Sequence, residues 1–242
     1  MSTEPVVLPV SGHAELHAST RSGRVTITAE ERRDLSIASD APLREDKIEV
    51  DPTGVVSVKS GRGGSGWLEI RCPTGTDVAV GTVSGKVELR GQLGTARVST
   101  VNGSVDVERV EAVDIRSVSG SIEVGSCSGG CRLQTTSGRA TCSGSGDARV
   151  STMSGRVQLE NVAGSAKVQT ASGAVELGMR GKGNVAVQTV SGAVKVEVPA
   201  GVRPATRLRS LSGKPHSDCD EGDDCEIAVK SLSGKIEVTC CS

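Results

Sequence analysis

The sequence of 242 residues contains no phenylalanine and no tyrosine, and Trp67 is its single aromatic residue. Aromatic side chains bury about 150–250 Å² each, so a hydrophobic core without them has to be built from Val, Leu, Ile and Ala. Such a core suits a thin, layered architecture better than a thick globular one. The missing aromatics also argue against nucleic acid as a partner, because single strands are commonly bound by stacking their bases on aromatic rings.

Long hydrophobic runs are missing as well. No apolar run approaches the ~18 residues that a membrane-spanning helix needs, and residues 1–9 lack the basic and apolar regions of a signal peptide. We therefore expect a cytoplasmic protein, with peripheral association with the cell envelope as an option. The eight cysteines are then expected to be reduced, because disulfides are rare in the cytosol.

Groups that carry catalysis are scarce. There are three histidines, and the sequence has no glycine-rich phosphate loop leading into a helix. The acidic segment 217–226 could bind a divalent cation through oxygen, but it lacks the spacing of an EF-hand and is interpreted as a solvated loop. Cys219 and Cys225 could clip this loop, or hold zinc together with His216, although their spacing is not that of a zinc knuckle. We expect no enzyme, no cofactor and no metal site.

What the sequence does contain is a repeat. The stretch 82–89 reads Thr-Val-Ser-Gly-Lys-Val-Glu-Leu, and near-copies of it follow up to residue 238. The repeat glycines are Gly85, Gly103, Gly120, Gly138, Gly155, Gly173, Gly192, Gly213 and Gly234. They lie 17 to 21 residues apart, and no helical pattern occurs between them. A fixed period of this size is typical of a solenoid.

Each period holds two short alternating strands with a Ser-Gly or Asn-Gly turn between them. The sequence therefore predicts an all-β protein, a flattened parallel β-solenoid of about nine coils over residues 76–242. Right-handed winding is expected from the general chirality of such crossovers. Residues 1–75 are predicted to form an irregular, β-rich N-terminal cap, in which residues 22–27 are a faint copy of the repeat. A row of Thr and Ser three residues before each glycine is predicted to face inward.

One face of the predicted solenoid is basic. At the outward positions of the strands before the glycines, eight basic residues stand against the single acid Asp114. The candidate ligand-binding residues are Arg97, Arg116, Arg132, Arg149, Lys167, Arg207, Arg209 and Lys230. An anionic partner would relieve the repulsion between these charges. The alternative is that the basic side chains only solubilise the sheet and block edge pairing.

Two functions follow from this pattern. The first is a non-catalytic binding or scaffold protein that contacts another protein or an anionic surface, either a membrane or a glycan. The second is a structural protein that associates end to end, because the last rung, near residues 227–238, is followed by only four residues and its edge would be uncapped. This second function predicts a homo-oligomer through the C-terminal edge.

The segment 68–78, leading into Thr82-Val83-Ser84-Gly85, resembles the bacterial putative-adhesin family of β-strand-repeat proteins, a family with no settled function. Residues 196–202, which precede Leu211-Ser212-Gly213, carry a similar motif. The resemblance covers roughly residues 65–242. It implies a parallel β-solenoid, with some relatives linked to the cell envelope and its stress responses, and it supplies no catalytic residues to carry over.

Overall fold

The computed structural model describes residues 5–10, 14–40, 48–51, 55–59 and 66–241. The chain forms two compact units, Met1–Ser121 and Ile122–Ser242. Every regular element in the described ranges is a β-strand. Across those same ranges no helix is long and apolar enough to span a membrane.

The first unit contains nine strands, most of which alternate between buried and exposed side chains. They are β1 (Val6–Pro9), β2 (Glu15–Thr20), β3 (Arg24–Glu30), β4 (Asp34–Ser39), β5 (Ile48–Val50), β6 (Val55–Lys59), β7 (Trp67–Pro73), β8 (Asp77–Thr82) and β9 (Ser84–Ser119). Strand β2 pairs in parallel with β6 and β8, and β3 pairs in parallel with β7 and β9. Residues 15–30, the faint repeat copy included, therefore form a complete coil that lies between two later ones.

Antiparallel strands cover one side of these parallel ladders in the first unit. Strand β4 pairs antiparallel with β7, β1 with β4, and β5 with β6. The N-terminal segment is thus β-rich, as expected, and it combines a parallel coil with antiparallel edge strands. The division into two domains, residues 1–75 and 76–242, stays a prediction.

The second unit contains ten strands. They are β10 (Ile122–Cys142), β11 (Ser145–Val162), β12 (Ala166–Ser172), β13 (Val175–Met179), β14 (Val185–Ser191), β15 (Val194–Val198), β16 (Pro204–Ser210), β17 (Pro215–Ser217), β18 (Cys225–Ser233) and β19 (Ile236–Cys240). Two parallel ladders run through this unit. Strands before the turns pair in the order β10, β11, β12, β14, β18, β16, and strands after the turns pair in the order β10, β11, β13, β15, β19, β17.

The core of the second unit lies between these two ladders, since both bury every second side chain. Leu133, Val150, Val168, Val187 and Val229 are at most 1 % exposed. Their counterparts after the turns, such as Val157, Val194 and Ile236, are equally buried. The predicted fold class, a parallel β-solenoid, is confirmed. Its handedness and the number of nine coils stay predictions.

The order of the last two coils corrects the prediction about the C-terminal edge. The last coil, β18 with β19, lies between β14 with β15 on one side and β16 with β17 on the other. The C-terminal rung is therefore an interior rung and offers no free edge for end-to-end association. The edge is formed by the preceding coil, in which Leu208 is only half-buried and Pro215 is exposed.

The cysteine expectation is also corrected. Cys219 forms a disulfide with Cys240, with a Cα–Cα distance of 5.2 Å, so neither a fully reduced set of thiols nor a Cys219–Cys225 clip is present. This bond joins the acidic segment to the end of β19. The bond forms because β17 and β19 are paired, which brings together the residues that follow the paired positions.

The turns explain the repeat glycines and hydroxyls. In the second unit a Cβ atom on most of the turn glycines would collide with the carbonyl oxygen of the turn glycine on the adjacent coil. Three hydroxyls before the turns of this unit donate to carbonyls two residues on, as Thr135 does to Ser137 at 3.1 Å and Thr170 to Ser172 at 3.2 Å, whereas the hydroxyls of Thr189, Ser210 and Ser231 form no hydrogen bond within the described ranges. The inward direction of the hydroxyl row is confirmed, and Thr135, Thr152 and Thr170 close their turns with these hydrogen bonds.

Candidate functional site

Three of the eight predicted basic residues lie side by side on the outer face of the second unit. Arg132 is in register with Arg149, and Arg149 is in register with Lys167. Adjacent strands are about 4.8 Å apart, so these three cations form a short column, called here the basic column. No acidic group in the described ranges lies within ion-pair distance of any of the three. The basic column therefore carries three positive charges without an ion pair to a described carboxylate, and the carboxylate on the same face of β11 is Asp147, two residues before Arg149.

The remaining candidates of the second unit are separated from this column. The next two positions in register are Ala186 and Ala228, and only then follows Arg207. The Arg207 guanidinium contacts Glu226 at 3.0 Å, so its charge is partly compensated. Lys230 and Arg209 lie side by side in register, closer to the turns.

The two candidates of the first unit have other surroundings. Arg97 is in register with Ala79 and lines a shallow groove together with His17 and Lys59. The Arg116 guanidinium contacts the carboxylate of Asp114 at 3.4 Å. In neither unit do the predicted residues all come together in one site. The basic column is the largest set of them whose members lie side by side and form no ion pair in the described ranges.

Some cations of the strands after the turns are neutralised within their own strand. Lys195 Nζ lies 2.6 Å from Glu197 Oε1, and Lys235 Nζ lies 2.9 Å from Glu237 Oε2. The Lys235 ammonium lowers the pKa of Glu237 below its ordinary value. A strand that alternates residues places positions i and i+2 on one face, which explains these pairs. Such pairing is absent from the described surroundings of the basic column.

The most buried of these pairs makes a testable contribution to stability. Glu88, 6 % exposed, accepts from Lys86 Nζ at 2.6 Å and from Arg90 Nη2 at 2.8 Å. The hydrogen bond from Lys86 lowers the pKa of this carboxyl from its ordinary 4.5. We expect Glu88→Gln to reduce the free energy of unfolding by about 1 kcal/mol at neutral pH, since both cations are half exposed.

The sign of the pH dependence follows from the lowered pKa. A carboxyl with a depressed pKa in the folded state stabilises the protein above its unfolded pKa, and this contribution disappears as the pH falls through the folded pKa. Urea unfolding at several pH values should therefore show wild type and Glu88→Gln converging below pH 4.5. Glu69→Gln, which breaks an exposed pair with Arg71, is the control and should have little effect. An equal loss in both variants would contradict the prediction.

The acidic segment serves a structural purpose. Asp224 accepts from Lys182 Nζ at 2.7 Å and from the Arg203 backbone at 3.0 Å, and the hydrogen bond from Lys182 lowers its pKa. His216 contacts Asp218. Among the residues that the structure describes, no group of three His, Cys, Asp or Glu side chains is arranged to hold a metal ion. Part of the segment is thus tied to neighbouring strands.

Three further cysteines lie in the core of the second unit. Cys127, Cys131 and Cys142 are at most 2 % exposed, so the inward placement predicted for Cys142 is confirmed. Contacts with the thiols of Cys127 and Cys142, together with burial, raise the pKa of Cys131. A thiol that stays protonated is a poor nucleophile, which applies to Cys131, whereas the contact with Cys131 lowers the pKa of Cys142. All three pack as small side chains of the core.

The sequence of residues 6–239 matches the Toastrack family DUF4097. The chain belongs to the Toastrack family. The resemblance to putative adhesins is confirmed, because such proteins are structural neighbours of this Toastrack chain. No protein with curated function matches it by sequence.

The structural neighbours align with nearly the whole chain. A putative adhesin from Bacteroides fragilis has a TM-score of 0.52 at 15 % identity, covering 97 % of this chain and 95 % of that one. A putative adhesin from Parabacteroides merdae has a TM-score of 0.44 at 12 % identity, with 99 % and 96 % covered. One from Parabacteroides distasonis has a TM-score of 0.39 at 12 % identity, with 100 % and 97 % covered. At such identities the likeness to the Bacteroides fragilis protein shows the fold alone.

One surface feature of this Toastrack chain was missed by the sequence reasoning. The residue two positions before each turn glycine points outward, and in five neighbouring coils of the second unit it is apolar. These residues, called here the turn row, are Met153, Ala171, Val190, Leu232 and Leu211. The signal was present in the repeat itself, in which an apolar residue stands before Ser-Gly although the alternation assigns that position to solvent.

Proposed function

We propose that this Toastrack protein is a non-catalytic binding or scaffold protein, and that the basic column contacts an anionic partner. The observation that carries the proposal is the in-register placement of Arg132, Arg149 and Lys167, none of which forms an ion pair with a carboxylate in the described ranges. Like charges on adjacent strands repel each other, and an anionic ligand that bridges them relieves this repulsion. The proposed partner is an anionic surface at the periphery of the cell envelope or an acidic protein.

Two further observations support a binding role over catalysis. On the side of the turns the basic column is followed on the same face by Gln134, Ser151 and Gln169. On the other side lies Asp147, which accepts from the backbone of Ser165 at 2.7 Å, so no pair of carboxylates of the kind that hydrolytic sites use is formed here by these side chains. The Bacteroides fragilis neighbour is named a putative adhesin, and such a name describes binding. A flat, regular face suits an extended ligand better than a small substrate.

The proposal is tested by binding to immobilised dextran sulfate and to anionic vesicles at low and moderate salt. We expect the triple variant Arg132→Gln, Arg149→Gln, Lys167→Gln to lose most of the salt-sensitive binding of the wild type, by tenfold or more, since each cation lost weakens contact with a polyanion. The readout is the salt concentration at elution and the fraction that co-sediments with vesicles.

The matched control removes three cations that already contact carboxylates. Lys59, Arg109 and Lys195 each lie within 3.3 Å of a glutamate oxygen, and changing all three to Gln gives the same change in net charge. This control should bind as the wild type does. Equal losses in both triple variants would show that net charge alone decides binding, and would reduce the basic column to a solubilising surface.

A further inference from the structure

The turn row is an exposed apolar stripe with a regular spacing. Met153, Val190, Leu232 and Leu211 are 64 %, 49 %, 50 % and 82 % exposed. The serines that follow the first four members are in register from coil to coil, as Ser154 is with Ser172 and Ser191 with Ser233. At about 4.8 Å per coil, five coils give a stripe of roughly 20 Å.

Nothing in the fold requires apolar side chains at these positions. Neighbouring turns are joined by backbone hydrogen bonds such as Gly192 N to Ser233 O at 3.1 Å, and these do not involve the side chains of the turn row. Thr136 occupies the same position in a neighbouring coil. Clustered exposed apolar side chains that do not contribute to the core mark an interaction surface.

The flanks of the turn row are exclusively basic or neutral. From four residues before each turn glycine to one residue after it, the six coils of the second unit contain no aspartate and no glutamate. They contain six basic residues, namely Arg139, Arg156, Arg209, Lys214, Lys230 and Lys235. An apolar stripe between rows of cations is the pattern of surfaces that lie in the interface of an anionic membrane.

Apolar and basic side chains are most closely spaced at the edge coil, β16 with β17, and its neighbour, β18 with β19. Leu211 and Leu232 are neighbours there, as the bond from Ser212 N to Leu232 O at 3.1 Å shows. Arg209 and Lys230 are in register on one side of them, and Lys214 and Lys235 follow on the other. Of these four cations, Lys235 contacts Glu237, and no acidic group in the described ranges lies within ion-pair distance of the other three.

We infer that the turn row inserts into the headgroup region of an anionic lipid bilayer, with Leu211 and Leu232 as its deepest residues. A second copy of this chain is disfavoured as the occupant, because two such surfaces would bring like charges together without an acidic group between them. Lipid headgroups supply the anions, and the acyl boundary below them accepts the leucines. This inference assigns a second surface and does not depend on the basic column.

The experiment compares vesicles of phosphatidylcholine with vesicles of equal parts phosphatidylcholine and phosphatidylglycerol. We expect the wild type to co-sediment with the anionic vesicles only, and the double variant Leu211→Ser, Leu232→Ser to bind about tenfold more weakly. The control is Val7→Ser with Val50→Ser, which removes two exposed apolar side chains of the first unit that are not members of the turn row, and this variant should bind as the wild type does.

Fluorescence supplies a second readout that does not depend on affinity. Trp67 is the only tryptophan, so a Trp67→Leu background carrying Leu232→Trp reports on the turn row alone. Its emission is expected to shift to shorter wavelength on anionic vesicles, whereas Val50→Trp in the same background should not shift. Either of two results overturns the inference: no shift for Leu232→Trp, or full vesicle binding by the double leucine variant.

The outcomes also separate this inference from the proposed function. If the basic-column variant loses binding and the leucine variant keeps it, the anionic contact is made by the sheet face and the turn row is not involved. If the leucine variant loses binding and the basic-column variant keeps it, the turn row is the membrane contact and the proposed role of the column is wrong. A dimer in sedimentation velocity that Leu211→Ser with Leu232→Ser abolishes would overturn the inference in favour of a second copy.

Discussion

Replacement of Gly173 by alanine is expected to lower the free energy of unfolding by roughly 2–6 kcal/mol, from about 1–3 kcal/mol for the backbone conformation and a similar amount for overpacking. The φ angle of Gly173 is +138°, and an added Cβ would fall on the carbonyl oxygen of Gly155 in the adjacent turn. That oxygen belongs to the backbone and cannot rotate away. The turn would have to separate from its neighbour.

Thermal unfolding followed by circular dichroism measures this effect. For a chain of this size about 1 kcal/mol corresponds to 2–4 °C in Tm, so the Tm should fall by roughly 5–20 °C. The control is Gly130→Ala, since a Cβ at Gly130 meets no atom within 4 Å and alanine reduces the entropy of the unfolded chain. Its Tm should stay the same or rise. A Tm for Gly173→Ala equal to that of the control would contradict the account of the turns.

Deletion of residues 225–242 is expected to release two coils of the second unit. Strands β16 and β17 pair only with β18 and β19 among the described strands, so the deletion removes the neighbours that hold residues 204–217. In a solenoid with sequential coils the same deletion would cost a single terminal coil. The truncated chain should therefore lose the ordered structure of two coils, although only one coil is deleted.

Limited trypsin digestion with mass spectrometry tests this expectation. Arg207 and Arg209 should be cleaved rapidly in the truncated chain, whereas Arg132 and Arg149 in β10 and β11 serve as internal controls and should stay protected. Because the deletion also removes Cys240, Cys219→Ser in the full-length chain shows the effect of losing the disulfide alone. Protection of Arg207 in the truncated chain would contradict the prediction, since it would require β16 to pair with another strand.

Much of the fold was predictable because few architectures other than a β-solenoid repeat every 17 to 21 residues without a helix. Each Ser-Gly turn fixed the parity of the flanking strands, and that parity assigned Val150 and Val187 to the core and Arg149 and Lys167 to the surface. The same parity predicted the basic column, since equivalent positions of successive coils become neighbours in register.

The reversed order of the last two coils could not be read from the repeat, although one residue indicated it. Both coils carry Ser-Leu-Ser-Gly-Lys, at residues 210–214 and 231–235, so the turns do not distinguish them. The strands after the turns do. Pro215 lacks a backbone donor and is tolerated at a sheet edge, whereas Ile236 and Val238 are fully buried and need neighbours on both sides.

Contacts between neighbouring coils limit what could be predicted about the site. The contact between Arg207 and Glu226 needs β16 beside β18, and the Cys219–Cys240 disulfide needs β17 beside β19. Both pairs of strands would also be neighbours in a sequential stack, so the reversal changes only the other side of Arg207, where Ala186 now pairs with Ala228. Charge on a repeat surface therefore depends on side chains of the neighbouring coil as well as on the parity of each strand.

The position of the last coil also sets the order of events during synthesis. Residues 204–217 leave the ribosome before residues 225–240, by about 1–4 s at typical elongation rates, and strands pair much faster than that. During this interval the edge of β14 and β15 is unoccupied, and the nearest segment able to pair with it carries the same five-residue turn. The native arrangement requires the later segment to take this edge and the earlier one to dock on top of it. The order of docking is therefore the reverse of the order of translation.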